Sequence, residues 1–351
     1  MITITSTATA VPPNVLSREL VKEYYGRTFS LSGRRLQALY EVLDNSRIDK
    51  RYSLFPVDYL IEPRSLTVKN SEYREHAIAL SRQVAAEALA RANRDPSEVD
   101  MIVSVSCTGF MIPSVEAYLI GEMGFRPDVR RLPITELGCA AGAVGLTRAW
   151  EYLQVHPNAT VLLIAVELPT LTFQRDDLSQ ANLISSALFG DGVAAAVITE
   201  GAATAKGPAI LDSQSYLFPS SIDAMGFDLK ETGFHIVLSR EVPDLIRENI
   251  GGLLEGFLSR NELTQKQIKA FVLHPGGQKL LSYMQEELGL CACQVQPSWD
   301  VLREYGNLSS ASVLFVLHEW MTRGEVMPGD RGFLAAFGPG FSAEMLLLQW
   351  T

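Results

Sequence analysis

Cysteine, histidine and basic side chains are scarce in this chain. Its 351 residues include four cysteines, five histidines and 30 lysines plus arginines, against 40 aspartates plus glutamates. The net charge of −10 argues against nucleic acid as the principal partner, because such a partner requires a basic face. Four unevenly spaced cysteines do not form a disulfide framework and fit a reducing compartment better. We therefore expect a cytoplasmic protein.

Long apolar runs and metal-ligand patterns are also missing. No apolar run reaches the roughly 18 residues of a membrane span, and the first residues, MITITSTATAVPPN, lack the basic segment of a signal peptide. Cys291 and Cys293 stand in CAC without a second pair or the histidines of a zinc site. We expect these two cysteines to be small buried apolar residues, and we expect neither a membrane span nor a bound metal.

Strand and helix patterns alternate along most of the chain. Residues 71–93 have the pattern of an amphipathic helix, and the buried-strand run MIVSVSC follows. The second half repeats this order with the strand PAILDSQSYL and the helix VPDLIRENIGGLLEGFL. The alternation predicts an α/β protein. Each half ends in consecutive strands, so we expect two pseudo-duplicated halves, residues 1–205 with a cysteine site and residues 206–351.

Cys139 occupies a conspicuous position in ITELGCAAGAVGLTRAW, between a short apolar strand and a helix. The free N–H groups and the dipole of a helix N-terminus stabilise a thiolate and can lower a cysteine pKa to roughly 3.5–7.5. The small residues that follow would let a substrate approach the backbone. A lone cysteine on an apolar helix is more often part of the core. A catalytic role therefore depends on partners.

Three further segments offer such partners. His274 ends the strand IKAFVL ahead of Pro-Gly-Gly, and strand ends are where α/β sites collect. Asn307 in REYGNLSSAS could be a helix cap or an amide donor to an oxyanion. FGPGF, with Gly338 and Pro339, could be a simple hairpin turn or a wall of a cavity. Of the remaining histidines, His235 could be structural or functional.

Together these stretches resemble the type III polyketide synthases, the homodimeric chalcone synthase-like family of the thiolase superfamily. The similarity covers nearly the whole chain and rests on ELGCAAGA, LFGDGVAAAVI, GFH followed by VPDLI, LHPGG, EYGNLSSASVLF and FGPGF. It implies a five-layered αβαβα thiolase fold with Cys139, His274 and Asn307 as catalytic residues and Phe189 and Phe234 as gatekeepers. SCTGFMIPS and TFQRDDLSQANLIS resemble bacterial alkylpyrone and alkylresorcinol synthases.

The resemblance also implies a reaction. An acyl starter is held on Cys139, malonyl-CoA is decarboxylated, and the resulting carbanion extends the chain several times before cyclisation to an alkylpyrone or alkylresorcinol. A fatty acyl starter is expected, delivered by coenzyme A or by an acyl carrier protein, and no cofactor is needed. The pocket residues implied are Cys107, Thr172, Met225, Ser309, Gly338 and Pro339, with Met111 reaching the partner's cavity in a homodimer.

The sequence departs from the plant pattern at the mouth of the substrate tunnel. Plant members carry a row of basic residues there, which binds the phosphates of coenzyme A. The matching positions here are Ala38, Glu41 and Asn45, and the basic residues that remain nearby are Arg47, Lys50 and Arg51. A carrier-bound starter is therefore an open possibility.

Three alternatives share part of this pattern. A ketoacyl carrier-protein synthase III-like enzyme also uses Cys, His and Asn but performs a single condensation. A papain-like hydrolase has the same chain order, but its C-G-[SA]-C-[WY] signature is absent. A non-catalytic thiolase-fold scaffold would not need all three polar residues.

Overall fold

The computed structural model describes residues 1–29, 33–201 and 206–351. Most strands in these ranges join one large mixed sheet, and two pairs form small separate sheets. The strands are β1 (Ile2–Ala10), β2 (Asn14–Ser17), β3 (Lys50–Ser53), β4 (Met101–Val105), β5 (Arg130–Ile134), β6 (Thr160–Glu167), β7 (Gly192–Glu200), β8 (Pro208–Leu217), β9 (Met225–Lys230), β10 (Gly233–Leu238), β11 (Ile268–Leu273), β12 (Arg331–Gly338) and β13 (Ser342–Trp350).

Most helices pack on the large sheet, and a smaller group packs around a separate core outside it. The amphipathic pattern predicted from residue 71 belongs to a helix that begins earlier, at Leu66, because the Ser65 side chain caps it by accepting from the N–H of Val68. The helices are α1 (Arg18–Thr28), α2 (Arg34–Asn45), α3 (Val57–Leu60), α4 (Leu66–Arg91), α5 (Val115–Met123), α6 (Ala141–Val155), α7 (Gln180–Leu188), α8 (Val242–Arg260), α9 (Gln278–Glu287), α10 (Ala292–Tyr305) and α11 (Ser312–Arg323).

The large sheet uses one strand arrangement twice. Its order is β11-β12-β13-β8-β1-β7-β6-β4-β5. In the first half β4 is parallel to β6, β6 is antiparallel to β7, and β7 is antiparallel to β1. In the second half β11, β12, β13 and β8 repeat these orientations. The pairing of Thr3 with Ala209 joins the two sets. The expected pseudo-duplication is therefore confirmed, whereas the boundary at residue 205 lies outside the described residues and stays a prediction.

The two strand sets form two layers of the fold, and the helices on either side and between them bring the total to five layers. Helices α4 and α5 cover the outer face of the first strand set, α8 and α9 cover that of the second, and α6 and α11 lie between the two sets. Val161 and Leu163 of β6 face the central core, while Leu162 and Ile164 face α4. Because both faces are covered, the strand is apolar almost throughout, as its sequence indicated. The predicted αβαβα fold is confirmed.

The expectation for the CAC cysteines is wrong. Cys291 and Cys293 are exposed at the start of α10 and are joined in a disulfide. The reason is their position, since Cys291 caps α10 and Cys293 lies in its first turn, and this turn is on the protein surface. Among the described residues, no helix could span a membrane and no group of three or more histidine, cysteine, aspartate or glutamate side chains could hold a metal ion.

Candidate active site

Cys139 lies in the turn that joins β5 to α6. Residues Gly138–Ala140 form one 3₁₀ turn, and α6 begins at the next residue. Gly138 has φ +47°, and a Cβ there would lie 2.6 Å from Cδ of Pro339, so both the conformation and the close contact require glycine. The Cys139 side chain is 6% exposed and faces a cavity. The nucleophile candidate therefore stands at a helix start with access to a ligand.

The small residues after Cys139 make room for protein rather than for substrate. A Cβ on Gly142 would lie 2.3 Å from the carbonyl oxygen of Ser310. Residues 140–143 are buried, and none of them lines the cavity. The expectation that they admit a substrate to the backbone is wrong, because the turn before α11 already occupies that space.

His274 directly follows β11. Its backbone N–H donates to the carbonyl of Ala335 at 2.9 Å, which extends the ladder between β11 and β12. The imidazole is 3% exposed, and the described residues provide no hydrogen-bond partner for its Nδ1. Burial lowers the pKa of His274 to about 3, so the ring is neutral. A buried ring nitrogen without a partner is costly to the fold.

Asn307 is held by the residues around it in one orientation. Its Oδ1 accepts from the backbone N–H of Ser309 at 2.8 Å and from the hydroxyl of Ser312 at 3.3 Å. Because a backbone N–H can only donate, this atom is the amide oxygen. The Nδ2 amino group donates to the carbonyl of Gly276 at 3.2 Å. The other hydrogen of that group finds no acceptor among the described residues.

These three side chains lie close together beside the cavity, which is lined by Cys139 but by neither His274 nor Asn307. The sulfur of Cys139 lies 4.0 Å from Oδ1 of Asn307 and 3.6 Å from Oγ of Ser309. Gly276 connects the other two, since its carbonyl accepts from Asn307 and a Cβ there would lie 3.3 Å from Nε2 of His274. The fold thus brings together the three residues that the sequence placed on separate segments.

Burial controls the protonation state of Cys139. It raises the pKa of the thiol to about 12, and the nearby Glu167 carboxylate adds to the shift while the hydrogen bond with Ser309 opposes it. The lowered cysteine pKa expected at a helix N-terminus is therefore not found, because burial is the largest effect on this thiol. Moving the proton from Cys139 to His274 creates opposite charges in one buried site, and their attraction offsets part of the cost of burial.

A buried carboxylate beside this group was missed in the sequence. Glu167, at the end of β6, accepts from the N–H of Cys107 at 3.2 Å and from the hydroxyls of Thr108, at 2.8 Å, and Ser310. Burial raises the pKa of Glu167. The Cys107 thiol lies 3.3 Å from Oγ of Ser309, so this network reaches the Cys139 sulfur. A glutamate at the end of the apolar run ATVLLIAVE was the available signal.

The cavity has a volume of about 350 Å³, within the range of small-molecule sites. Gly338 does not line it but packs against the Cys139 turn, where a Cβ would lie 2.4 Å from the carbonyl oxygen of Leu137. The other pocket residues expected from the sequence do line it, namely Cys107, Thr172, Phe189, Met225, Phe234, Ser309 and Pro339.

An apolar arm of the cavity was also missed. Its apolar lining is Val21, Tyr25, Leu60 and Ile61 of α1 and the α3 segment, and α7 adds the polar Asn182, Ser185 and Ser186. Tyr25 is held by a hydrogen bond of 2.7 Å to the hydroxyl of Ser186 on α7. Nothing in these helices distinguishes the cavity-facing residues from ordinary core residues, so the sequence carried no signal for the arm.

Phe189 is fixed through its backbone. Its segment pairs with that of Asn307, where the N–H of Gly190 donates to the Asn307 carbonyl at 3.0 Å. The guanidinium of Arg51 donates to the carbonyls of Ser186, at 2.6 Å, and Phe189, at 2.8 Å. Arg51 is 4% exposed and lines the cavity, with these two carbonyls as partners of its guanidinium.

The other two basic residues expected near the tunnel mouth have different partners. Lys50 forms an ion pair with Glu304 at 3.2 Å, and the guanidinium of Arg47 lies 4.6 Å from the centre of the Trp299 ring. The exposed face of α2 carries Ala38, Glu41 and Asn45.

Comparisons with known proteins agree with this geometry. The models of the chalcone and stilbene synthases match residues 1–202 with the N-terminal domain and residues 209–350 with the C-terminal domain. A protein described as a putative chalcone synthase from Bacillus subtilis (strain 168) is 36% identical over 358 residues, covering 99% of this chain and 98% of that one. The alpha-pyrone synthesis polyketide synthase-like Pks18 of Mycobacterium tuberculosis (strain CDC 1551 / Oshkosh) is 29% identical over 354 residues, covering 97% and 89%.

A solved structure shares the fold over its full length. It is the crystal structure of 1,3,6,8-tetrahydroxynaphthalene synthase from Streptomyces coelicolor A3(2), a bacterial type III polyketide synthase. Its TM-score is 0.95 at 33% identity, with 99% of both chains covered. The chain belongs to the chalcone and stilbene synthase family, the type III polyketide synthases, which are condensing enzymes of the acyltransferase type.

Proposed function

We propose that the protein extends an acyl starter held on Cys139 with malonyl units and closes the product to an alkylpyrone or an alkylresorcinol. The observation that carries this proposal is the closeness of Cys139, which lines a largely apolar cavity, to Asn307 and, through Gly276, of Asn307 to His274. Such a cavity accommodates an alkyl chain, while the polar end holds the reacting thioester.

The first step loads the starter. The Cys139 sulfur attacks the thioester carbonyl, the thiol proton goes to His274, and the carrier thiol leaves with that proton. The neutral imidazole and the neutral thiol are the forms that burial favours before this step. The product is an acyl thioester on Cys139.

The second step makes the carbon nucleophile. Malonyl-CoA loses CO2, and the enolate oxygen that forms accepts hydrogen bonds from His274 and from the remaining N–H of Asn307. Donors aimed at a developing oxyanion lower the barrier by about 2.7–4 kcal/mol each. Phe189, at the cavity wall, offers an apolar face to the departing carboxylate. The carbanion then attacks the acyl carbonyl, and the Cys139 thiolate leaves.

The apolar arm supports a fatty acyl starter. Val21, Leu60 and Ile61 present aliphatic surface to the cavity. Each methylene that enters such surface contributes about 0.8 kcal/mol. The Mycobacterium tuberculosis relative is described by alpha-pyrone synthesis, which agrees with a pyrone product.

A homodimer that uses coenzyme A substrates belongs to the same proposal. The loop around Met111 exposes Phe110 to 57% and Ile112 to 82%, which is unusual for large apolar side chains. Phe110 also lines the cavity, so a second copy that covered this loop would close part of the site.

A starter panel tests the proposal. Purified protein is incubated with labelled malonyl-CoA and acetyl-CoA, medium-chain or long-chain acyl-CoA, or an acyl carrier protein thioester, and CO2 and products are analysed by mass spectrometry. Alkylpyrones or alkylresorcinols from the longer starters are expected. Tetrahydroxynaphthalene from malonyl-CoA, with no product from the longer starters, would refute the fatty starter, and arrest after one condensation would refute the repeated extension. Silence with every starter would refute the condensing activity itself.

A further inference from the structure

One wall of the cavity is a hairpin outside the large sheet. Strands β9 and β10 pair with each other and with no other described strand. Their residues Met225, Phe227, Phe234 and Ile236 line the cavity. Because side chains alternate across a strand, His235 lies on the opposite face. The position of this wall is therefore set by contacts other than a β-ladder to the core.

His235 makes such a contact. Its Nδ1 lies 3.4 Å from Oδ2 of Asp177, and its Nε2 lies 2.7 Å from the hydroxyl of Thr232 in the hairpin turn. Both partners of the contact between His235 and Asp177 are mostly shielded, with 16% of the His235 side chain and 21% of the Asp177 side chain exposed. Asp228, the cross-strand neighbour of His235, adds a second carboxylate on this face.

Asp177 belongs to a segment that is itself fixed. The side chain of Asn182 on α7 donates to the carbonyls of Gln174 and Asp177, both at 2.7 Å. The N–H of Ser179 donates to Oδ1 of Asp177 at 2.8 Å. The Gln174 amide donates to the carbonyl of Phe234 at 3.2 Å. The segment is thus an anchor, and the hairpin is held to it by His235 and by this one amide.

We propose that His235 is a positioning residue that holds the β9–β10 hairpin against Asp177 and so fixes the space available to the growing acyl chain. His235 does not line the cavity, so its effect passes through Phe234 and Phe227, whose rings lie 5.7 Å apart on the cavity side. This inference rests on the proposed function, because the apolar acyl chain is the ligand whose length the wall would limit.

Variants of His235 test the role. In His235→Asn the amide nitrogen replaces Nδ1 and keeps the contact with Asp177. In His235→Gln the amide nitrogen replaces Nε2 and keeps only the contact with Thr232. His235→Ala loses both contacts. We expect His235→Ala to change the ratio of long to short products by about two- to five-fold, with KM for the starter rising more than kcat falls. His235→Asn should restore the wild-type ratio better than His235→Gln. His156→Ala is the matched control, since His156 stacks on Tyr152 at the end of α6.

A measurement that needs no polyketide activity separates this inference from the proposed function. Cys139 is labelled with N-alkyl maleimides of increasing chain length, and the dependence of the rate on length is compared between wild type and variants. His235→Ala should flatten that dependence, and Asp177→Ala should do the same. If both variants lower thermal stability but leave the product ratio and the length dependence as in wild type, the contact is merely structural and the proposal is wrong. If the wild type makes no polyketide, the proposed function fails, and the maleimide series still decides the role of His235.

Discussion

Replacing Gly142 with alanine tests whether the packing of α6 against the turn before α11 holds the site together. The added Cβ would lie 2.3 Å from the Ser310 carbonyl oxygen and 2.9 Å from Cγ1 of Val313. A backbone oxygen cannot swing aside like a long side chain, so the turn must shift. Overpacking of this kind costs about 1–3 kcal/mol, whereas the gain in helix propensity is at most about 1 kcal/mol.

The shift would reach the reacting groups. The hydroxyl of Ser310 donates a hydrogen bond to Glu167. The hydroxyl of its neighbour Ser309 contacts the sulfur of Cys139, and the N–H of Ser309 donates to Asn307. A displacement of about 1 Å at a catalytic site can cost about 100-fold in rate. We therefore expect Gly142→Ala to lower the free energy of unfolding by about 1 kcal/mol and the rate of Cys139 acylation by at least about tenfold.

Gly252→Ala is the matched control. Gly252 is exposed on α8, and a Cβ there would meet nothing within 4 Å. This variant should gain about 0.5–1 kcal/mol of stability and acylate at the wild-type rate. Urea unfolding and single-turnover acylation, followed by mass spectrometry, measure both effects. If Gly142→Ala is as stable as Gly252→Ala and acylates normally, the packing argument is refuted.

Three further predictions concern the buried polar groups. Asn307→Ala removes an oxyanion donor and should slow malonyl-CoA decarboxylation by about 10²–10³-fold, and a loss below about fivefold would contradict this role. Because the pKa of Cys139 is raised to about 12, its thiolate fraction and its alkylation rate should rise with pH from about pH 6 to about pH 9. An alkylation rate that is independent of pH would contradict this and would indicate a preformed ion pair with His274. Buried Asp191 accepts hydrogen bonds from the N–H of Leu54 and from the N–H and hydroxyl of Thr170. Asp191→Ala should therefore lower the free energy of unfolding by about 3 kcal/mol or more, and a change below about 1 kcal/mol in urea unfolding would contradict this account.

Much of the fold could be predicted from local sequence patterns. The apolar runs of β4 and β6 and the amphipathic pattern of α4 depend on neighbours in the chain, and the structure contains all three elements. Cys139, His274 and Asn307 are candidate catalytic residues in the sequence because each stands at a turn next to a helix or strand, where a side chain can point out of the core. The resemblance to a known family then linked them.

Features that depend on distant contacts were not predictable in the same way. Arg51 looks like a free basic residue in KRY, but the carbonyl groups of α7 and the Phe189 segment bury it. Gly142 looks like a place for substrate, but the carbonyl of Ser310, far along the chain, fills that place. The raised pKa of Cys139 follows from burial by both halves of the fold, which no local pattern records.

The central claim is that Cys139 carries the acyl chain while His274 and Asn307 stabilise the enolate. It is tested most directly by mass spectrometry of the intact protein and its Cys139 peptide after incubation with an acyl-CoA, combined with CO2 release from malonyl-CoA. Wild type should gain one acyl group on Cys139, and Cys139→Ala should gain none yet still release CO2. An acyl group on another residue, or product formation by Cys139→Ala at the wild-type rate, would contradict the account.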